Sequence, residues 1–236
     1  MRLEKNGLMA FWSDIKPDYV LQFQEWHNCE HIPERISIPG FYRGSRYRAS
    51  DGRPHFLMFY ETESPDIMNS GPYIDALNSP SSWTKEALNY FRNPVRNIYQ
   101  LVFSCGDEGS LVAPWLTSVR FNCSIGTDFS QMSNWIAAIV LQSDVYRARL
   151  FEVEKEISSI MTSERKIYGG VSGGQRYLAM IEHSVPSLQS NSLAKADTAI
   201  SARTKWRQNE CIRNYWLEIS HSCHIDGGVR KKGEHS

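Results

Sequence analysis

Two stretches lying half a chain apart read as copies of one another. HFLMFYETESP, from His55, and RYLAMIEHSVP, from Arg176, both run through a dense apolar strand to a glutamate (Glu61, Glu182) and then open the next element with a proline (Pro65, Pro186). VRNIYQLVF and IRNYWLEIS make a second pair, setting Arg96 and Asn97 opposite Arg213 and Asn214. Self-similarity at long spacing constrains a fold more than any single motif does, because each copy must be one structural unit that finds its packing partner in the other.

The elements around these anchors repeat as well. In the first copy, residues 8–14, 41–49, 55–61 and 97–105 read as strands, bounded by Gly, Pro and Asp turns. A helix opens with Pro17 near its first turn and is expected to end near Pro33, and helical pieces broken by Gly71, Pro72 and Pro80 lead to about residue 91. In the second copy, residues 116–123, 146–157, 176–183 and 215–221 read as strands, with helices over 128–142 and 186–211. The order βαββαβ is the split unit of ferredoxin-like folds. Two such sheets, each with helices on one face, can cover one another's bare faces. The expectation is an α+β protein in which two tandem ferredoxin-like repeats, residues 1–109 and 110–236, fuse into one barrel, the second ending in a flexible tail.

Composition removes several function classes. Lys plus Arg and Asp plus Glu number 26 each among 236 residues, so no net field favours phosphate backbones or anionic membranes, and nucleic acid is not an expected partner. The one basic run, Arg230, Lys231 and Lys232, reads as a solvated tail. No apolar stretch approaches the roughly 20 residues of a membrane span, and MRLEKNG is not a secretion signal. Five cysteines without regular spacing suit a reducing compartment, so the chain reads as soluble and cytoplasmic.

Chemistry concentrates in WHNCEHIPERISIPGF, residues 26–41. On the Pro17 helix, Tyr19, Val20, Phe23, Trp26, His27, Glu30 and His31 fall at spacings of three and four, which places an apolar stripe against a sheet and leaves titratable groups at the edge of a cavity. The second-copy helix, DFSQMSNWIAAIVLQ, keeps the stripe and has no histidine, so one site per chain is expected, in the first half. The run WHNCEHIPERISIPGFYRGSRYRA, followed by a strand ending FYE and a Ser-Pro helix start, resembles the dimeric α+β barrel superfamily, and within it the EthD-like proteins with an EHIPER…PGF core. That resemblance covers residues 8–105 in detail and the second half as a degenerate copy. It implies a small apolar cavity between sheet and helices, with His, Tyr or Arg pointing in; members range over cofactor-independent monooxygenases, cyclases, isomerases, dehydratases and haem-handling proteins, so it does not fix a reaction.

His31 is the first choice for a general acid or base, oriented by Glu30 or Glu34, with helix capping as its plain alternative. Arg46, Tyr60 or His27 would stabilise an enolate, and Glu34 with Arg35 would clamp a carboxylate or simply lock a turn. Trp12, Trp26 and Tyr73 supply aromatic surface for a ligand or for an ordinary core. On the third strand His55, Leu57, Phe59 and Glu61 share one face and Phe56, Met58 and Tyr60 the other, which puts Tyr60 under the helix. HNCEH matches the five-residue HxxEH zinc pattern but lacks its helical context, and His221, Cys223 and His224 alternate in a strand, so no metal is assigned. GGVSGG, residues 169–174, reads as a flexible loop. The leading expectation is an enzyme needing no cofactor, of lyase or isomerase type, that moves a proton beside the carbonyl of an aromatic, polyketide-like or ring-cleavage-derived compound. A haem-binding protein with His31 or His27 as axial ligand, a cofactor-free monooxygenase and a hydrophobic-ligand carrier are the alternatives. Pairing of the halves is internal, leaving another surface for a homodimer.

Overall fold

Eight antiparallel strands close into one barrel: β1 (Gly7–Ile15), β2 (Phe41–Ala49), β3 (Phe56–Thr62), β4 (Phe91–Gly106), β5 (Trp115–Cys123), β6 (Val145–Val153), β7 (Tyr177–His183) and β8 (Arg207–Ser222), in the ring order β1-β3-β2-β8-β5-β7-β6-β4. The computed structural model describes residues 6–107, 112–199 and 206–223. The ring divides into sheets β4-β1-β3-β2 and β8-β5-β7-β6 of the same connectivity. Two long strands stitch them together. β4 pairs with β1 along its first part and with β6 along its second, and β8 does the same with β5 and β2.

The sequence reading began these two strands late, at residues 97 and 215. Both are bulged early on: the register jumps between Trp12 and Asp14 opposite β4 and between Arg120 and Asn122 opposite β5, and Asn93 and Asn209 each take φ 51°. Asparagine tolerates that left-handed conformation better than most residues, and with Pro94 it interrupts the alternation that marks a strand. The two copies match with a shift of one residue on β4 and β8. Met58 faces Phe11 and Ala179 faces Val119, as the aligned segments require, but Phe11 then faces Arg96 while Val119 faces Ile212. Arg96 and Arg213 are therefore one residue out of register. The matching buried pair is Tyr99 and Tyr215.

Three cores follow from the alternation of side chains. Leu8, Trp12, Leu57, Phe59, Tyr99 and Tyr215 fill the barrel. On the outer face of the first sheet, Phe11, Phe56 and Met58 pack beneath α1 (Val20–Trp26), α3 (Gly71–Asn78) and α4 (Ser82–Leu88). On the second sheet, Val119, Phe121 and Ile181 pack beneath α5 (Phe129–Val140) and α8 (Ser192–Ala199). The helix expected over 186–211 is shorter, since β8 already begins at Arg207. The β6–β7 connection carries α6 (Lys155–Ser159) and α7 (Ser163–Tyr168), and these leave their own sheet to pack on β4, α3 and α4 of the first half. Among the described residues no helix is long and apolar enough to cross a membrane. Gly109, His224 and the run Arg230 to Lys232 lie outside the described residues.

Candidate functional site

The helix carrying the two histidines does not stop at Pro33. A proline there lacks an N–H, and its ring would collide with the Cys29 carbonyl in a regular α-helix. The backbone widens instead into one π turn, His27–His31, with the Ile32 N–H bonded to the His27 carbonyl, and α2 (Ile32–Ile36) continues beyond it. Such turns re-aim side chains. His31 comes to lie against Trp26 with ring centroids 4.5 Å apart, and His27 lies 5.7 Å from His31.

The protonation of His27 is set by its neighbours. Arg46 Nη1 approaches Nδ1 at 3.1 Å, and a guanidinium can only donate, so Nδ1 accepts. The ring proton must then sit on Nε2, which donates to the Tyr60 hydroxyl at 3.4 Å. Tyr60 Oη, its lone pair so engaged, keeps its own proton to give. Arg46 is fixed for this task by Glu218 (2.6 Å) and Asn28 (2.9 Å). Burial, then Arg46 and His221, holds His27 well below the ordinary histidine value; burial, then Arg35 and His27, does the same for His31. Burial likewise pushes the Tyr60 phenol well above its ordinary value. Both imidazoles and the phenol are thus neutral at pH 7. The buried Nδ1 of His31 has no hydrogen-bond partner.

These groups wall a cavity of about 500 Å³, counting the solvent at its mouth. Trp26, Phe91, Phe11, Met9 and Met58 make its apolar side; His31, Tyr60, Tyr73 and Arg96 its polar side; and Thr162, Glu164 and Tyr168 of the β6–β7 connection close it. The half expected to be purely structural therefore contributes to the site. Its GGVSGG segment is tied down: the Arg165 guanidinium donates to the carbonyls of Ser158, Ile160 and Gly170 and to the Ser172 hydroxyl, and Val171 bridges to Val95. Glu164 forms a buried ion pair with Arg35, which reaches it from α2. Burial works against the Arg35 charge, but Glu164 and Tyr73 outweigh it and raise its pKa.

Of the residues singled out in the sequence, His27, His31, Tyr60, Trp26, Tyr73 and Arg35 come together here. Four do not line the cavity. Trp12 points into the barrel, edge-on to Tyr99 and beneath Arg120, because its strand parity is opposite to that of Phe11. The Glu30 carboxylate accepts from Ser81 (2.6 Å) and Thr84 (2.9 Å), and Thr84 also accepts from Trp26 Nε1, so Glu30 fixes the indole and not His31. Glu34 is 39% exposed, 3.6 Å from Arg35. Arg46 acts behind His27 and reaches no ligand. With both nitrogens engaged, His27 also has no lone pair for an axial metal bond. Among the described residues no three His, Cys, Asp or Glu are placed to hold a metal ion. Arg96, Glu164 and Tyr168 were missed. Arg96 carried a signal, a charged residue sharing strand parity with the buried Ile98; the strap residues carried none.

In the second half the positions equivalent by register to Arg46, Met58 and Tyr60 are Leu150, Ala179 and Ile181. Trp135 and Ile139 fill the space beneath α5.

No family model matches the chain, and no curated protein does. Solved structures share its fold. An anthrone oxidase-like protein superposes with TM-score 0.59 at 9% identity, over 94% of this chain and 95% of that one. Monooxygenase candidates from Fusobacterium nucleatum (TM-score 0.58, 6% identity, 97% and 98% covered) and Lactobacillus acidophilus (TM-score 0.58, 5% identity, 93% and 97% covered) do so equally well. The closed eight-stranded antiparallel barrel is that of the dimeric α+β barrel proteins, formed within a single chain.

Proposed function

We propose that the chain is a cofactor-independent enzyme that takes a proton from an acidic carbon beside the carbonyl of an aromatic or polyketide-like compound. His31 is the base and Tyr60 the donor to the developing enolate oxygen. The observation that carries this reading is a neutral imidazole with an unpartnered Nδ1 sharing an aromatic-walled cavity with a neutral phenol whose lone pair is already occupied. A base of low pKa suits a carbon acid made acidic by conjugation, and the imidazolium it becomes is tolerable in a buried site only beside the enolate it has created. The fold's likeness to an anthrone oxidase-like protein and to monooxygenase candidates favours dioxygen as the acceptor. The enolate carbon then gives two electrons to O2 as the C–O bond forms, the peroxide takes the proton from His31, and loss of water leaves a new carbonyl: R2CH2 + O2 → R2CO + H2O. Without oxygen, reprotonation gives the isomerase or lyase outcome.

The matched connectivity and bulges of the two halves also support a tandem duplication of an EthD-like unit in which only the first copy carries the polar set. The test is anthrone in D2O. Without air, the wild type should exchange the methylene hydrogens; with air, it should consume one O2 per anthraquinone formed. His31→Ala should slow both by at least about a hundredfold, the usual worth of a positioned base. An equal rate in the mutant, or no exchange by the wild type, would sink the proposal.

A further inference from the structure

Charges within the cavity do not balance. Arg35 is paired with Glu164, and both histidines, Tyr60 and Tyr168 are neutral, which leaves Arg96. It lies in the cavity wall at 7% exposure, and the one hydrogen-bond partner of its guanidinium among the described residues is the Tyr73 hydroxyl, 3.2 Å from Nη2. No carboxylate of the described residues lies within 4.0 Å of it, whereas the buried barrel arginine Arg149 is met by Glu61 at 2.6 Å and Glu182 at 2.8 Å. A buried guanidinium with donors to spare is expensive unless an anion joins it. The β6–β7 connection, a strap across the first half, fastens just here, with the Arg96 N–H on the Val171 carbonyl, so this end of the cavity is built.

We propose that the ligand of this cavity carries a carboxylate, seated on Arg96 and Tyr73. The inference rests on reading the cavity as the substrate site, and it narrows the substrate to an aromatic carbonyl compound that is also an acid. A guanidinium fork matches a carboxylate better than it matches a single phenolate oxygen.

The experiment is equilibrium binding, which does not depend on turnover, of 2-naphthoate and its uncharged counterpart 2-naphthamide at pH 7. The wild type should prefer the acid by at least about tenfold, the worth of one charge-assisted contact. Arg96→Met should abolish the preference, Arg96→Lys should retain part of it, and His31→Ala should leave it intact. Equal binding of the two probes to the wild type, no binding of the acid, or a preference that survives Arg96→Met would overturn the assignment. A preference that disappears only in Arg96 variants while His31→Ala exchanges anthrone normally would uphold it and reject the catalytic reading.

Discussion

Breaking the Arg35–Glu164 pair tests whether the strap is part of the site. The two side chains are 1% and 5% exposed and join α2 of the first half to α7 of the second. Removing one partner of a buried pair costs roughly 3–5 kcal/mol, because the other charge is left without water. After Glu164→Gln, Arg35 has only Glu34, 3.6 Å away and 39% exposed, and Arg96 loses the nearest cavity carboxylate too, so a loss of about 4 kcal/mol is expected. At roughly 2–4 °C per kcal/mol for a chain of this size, the melting temperature should fall by about 8–16 °C. Replacing both residues by Met removes both charges at once, and hydrophobic substitutes for a buried pair are often neutral, so the double variant should lie within about 1 kcal/mol of the wild type. Urea denaturation of wild type, Glu164→Met, Arg35→Met and the double variant closes the cycle. A coupling below about 0.5 kcal/mol, the level of independent sites, would refute the pairing and with it the closed cavity.

Acid should be destabilising from a defined point. His27 and His31 titrate well below 6.5 when folded and near 6.5 when unfolded, so below pH 6.5 the unfolded chain binds more protons and stability is lost as pH falls, by up to about 1.4 kcal/mol per pH unit for each histidine. Urea midpoints at pH 7.5 and 5.5, compared with those of a His27→Gln, His31→Gln variant, check this, and a wild type no more acid-sensitive than the variant would contradict it. A Cβ at Gly44 would stand 2.7 Å from Tyr60 Cε1 and 3.0 Å from Ile32 Cγ2. Gly44→Ala should therefore push Tyr60 off His27, costing about 1–3 kcal/mol and lowering the proton-transfer rate more than ligand affinity; unchanged kinetics would show that Tyr60 is not the enolate donor.

The fold was legible because its signals are local and repeated. Strand β2 begins and ends where FYRGSRYRA placed it, and the alternation in β3 set Tyr60 under the helix and Leu57 in the barrel. What escaped the sequence was set by tertiary packing. Pro33 looked like a helix stop, and a π turn absorbed it. Glu30 looked like the orienter of His31 by adjacency, but neighbours in sequence on a helix point about 100° apart, and Glu30 found Ser81 and Thr84 instead. Trp12 is aromatic and close to the site in sequence, but its strand parity sends it into the barrel. Glu164 and Tyr168 come from a connection between two strands of the other half, and no local pattern says where such a segment will lie.

That connection also accounts for the asymmetry of the molecule. Between β2 and β3 lie six residues, 50–55, enough for a turn; between β6 and β7 lie 23, residues 154–176, enough for two short helices. Only the longer can cross the barrel seam, and it can roof only the first sheet. Among the described residues no connection covers the second sheet in the same way, so a polar cavity there would stand open to water, where a histidine recovers its ordinary pKa and a guanidinium its hydration. In place of such a cavity the second half has Leu150 and Ile181 under Trp135 and Ile139, which need no roof. His27, His31 and Arg96 line a cavity whose wall Thr162, Glu164 and Tyr168 of that connection help to make. The chemistry proposed for the first half is therefore a property of both halves joined.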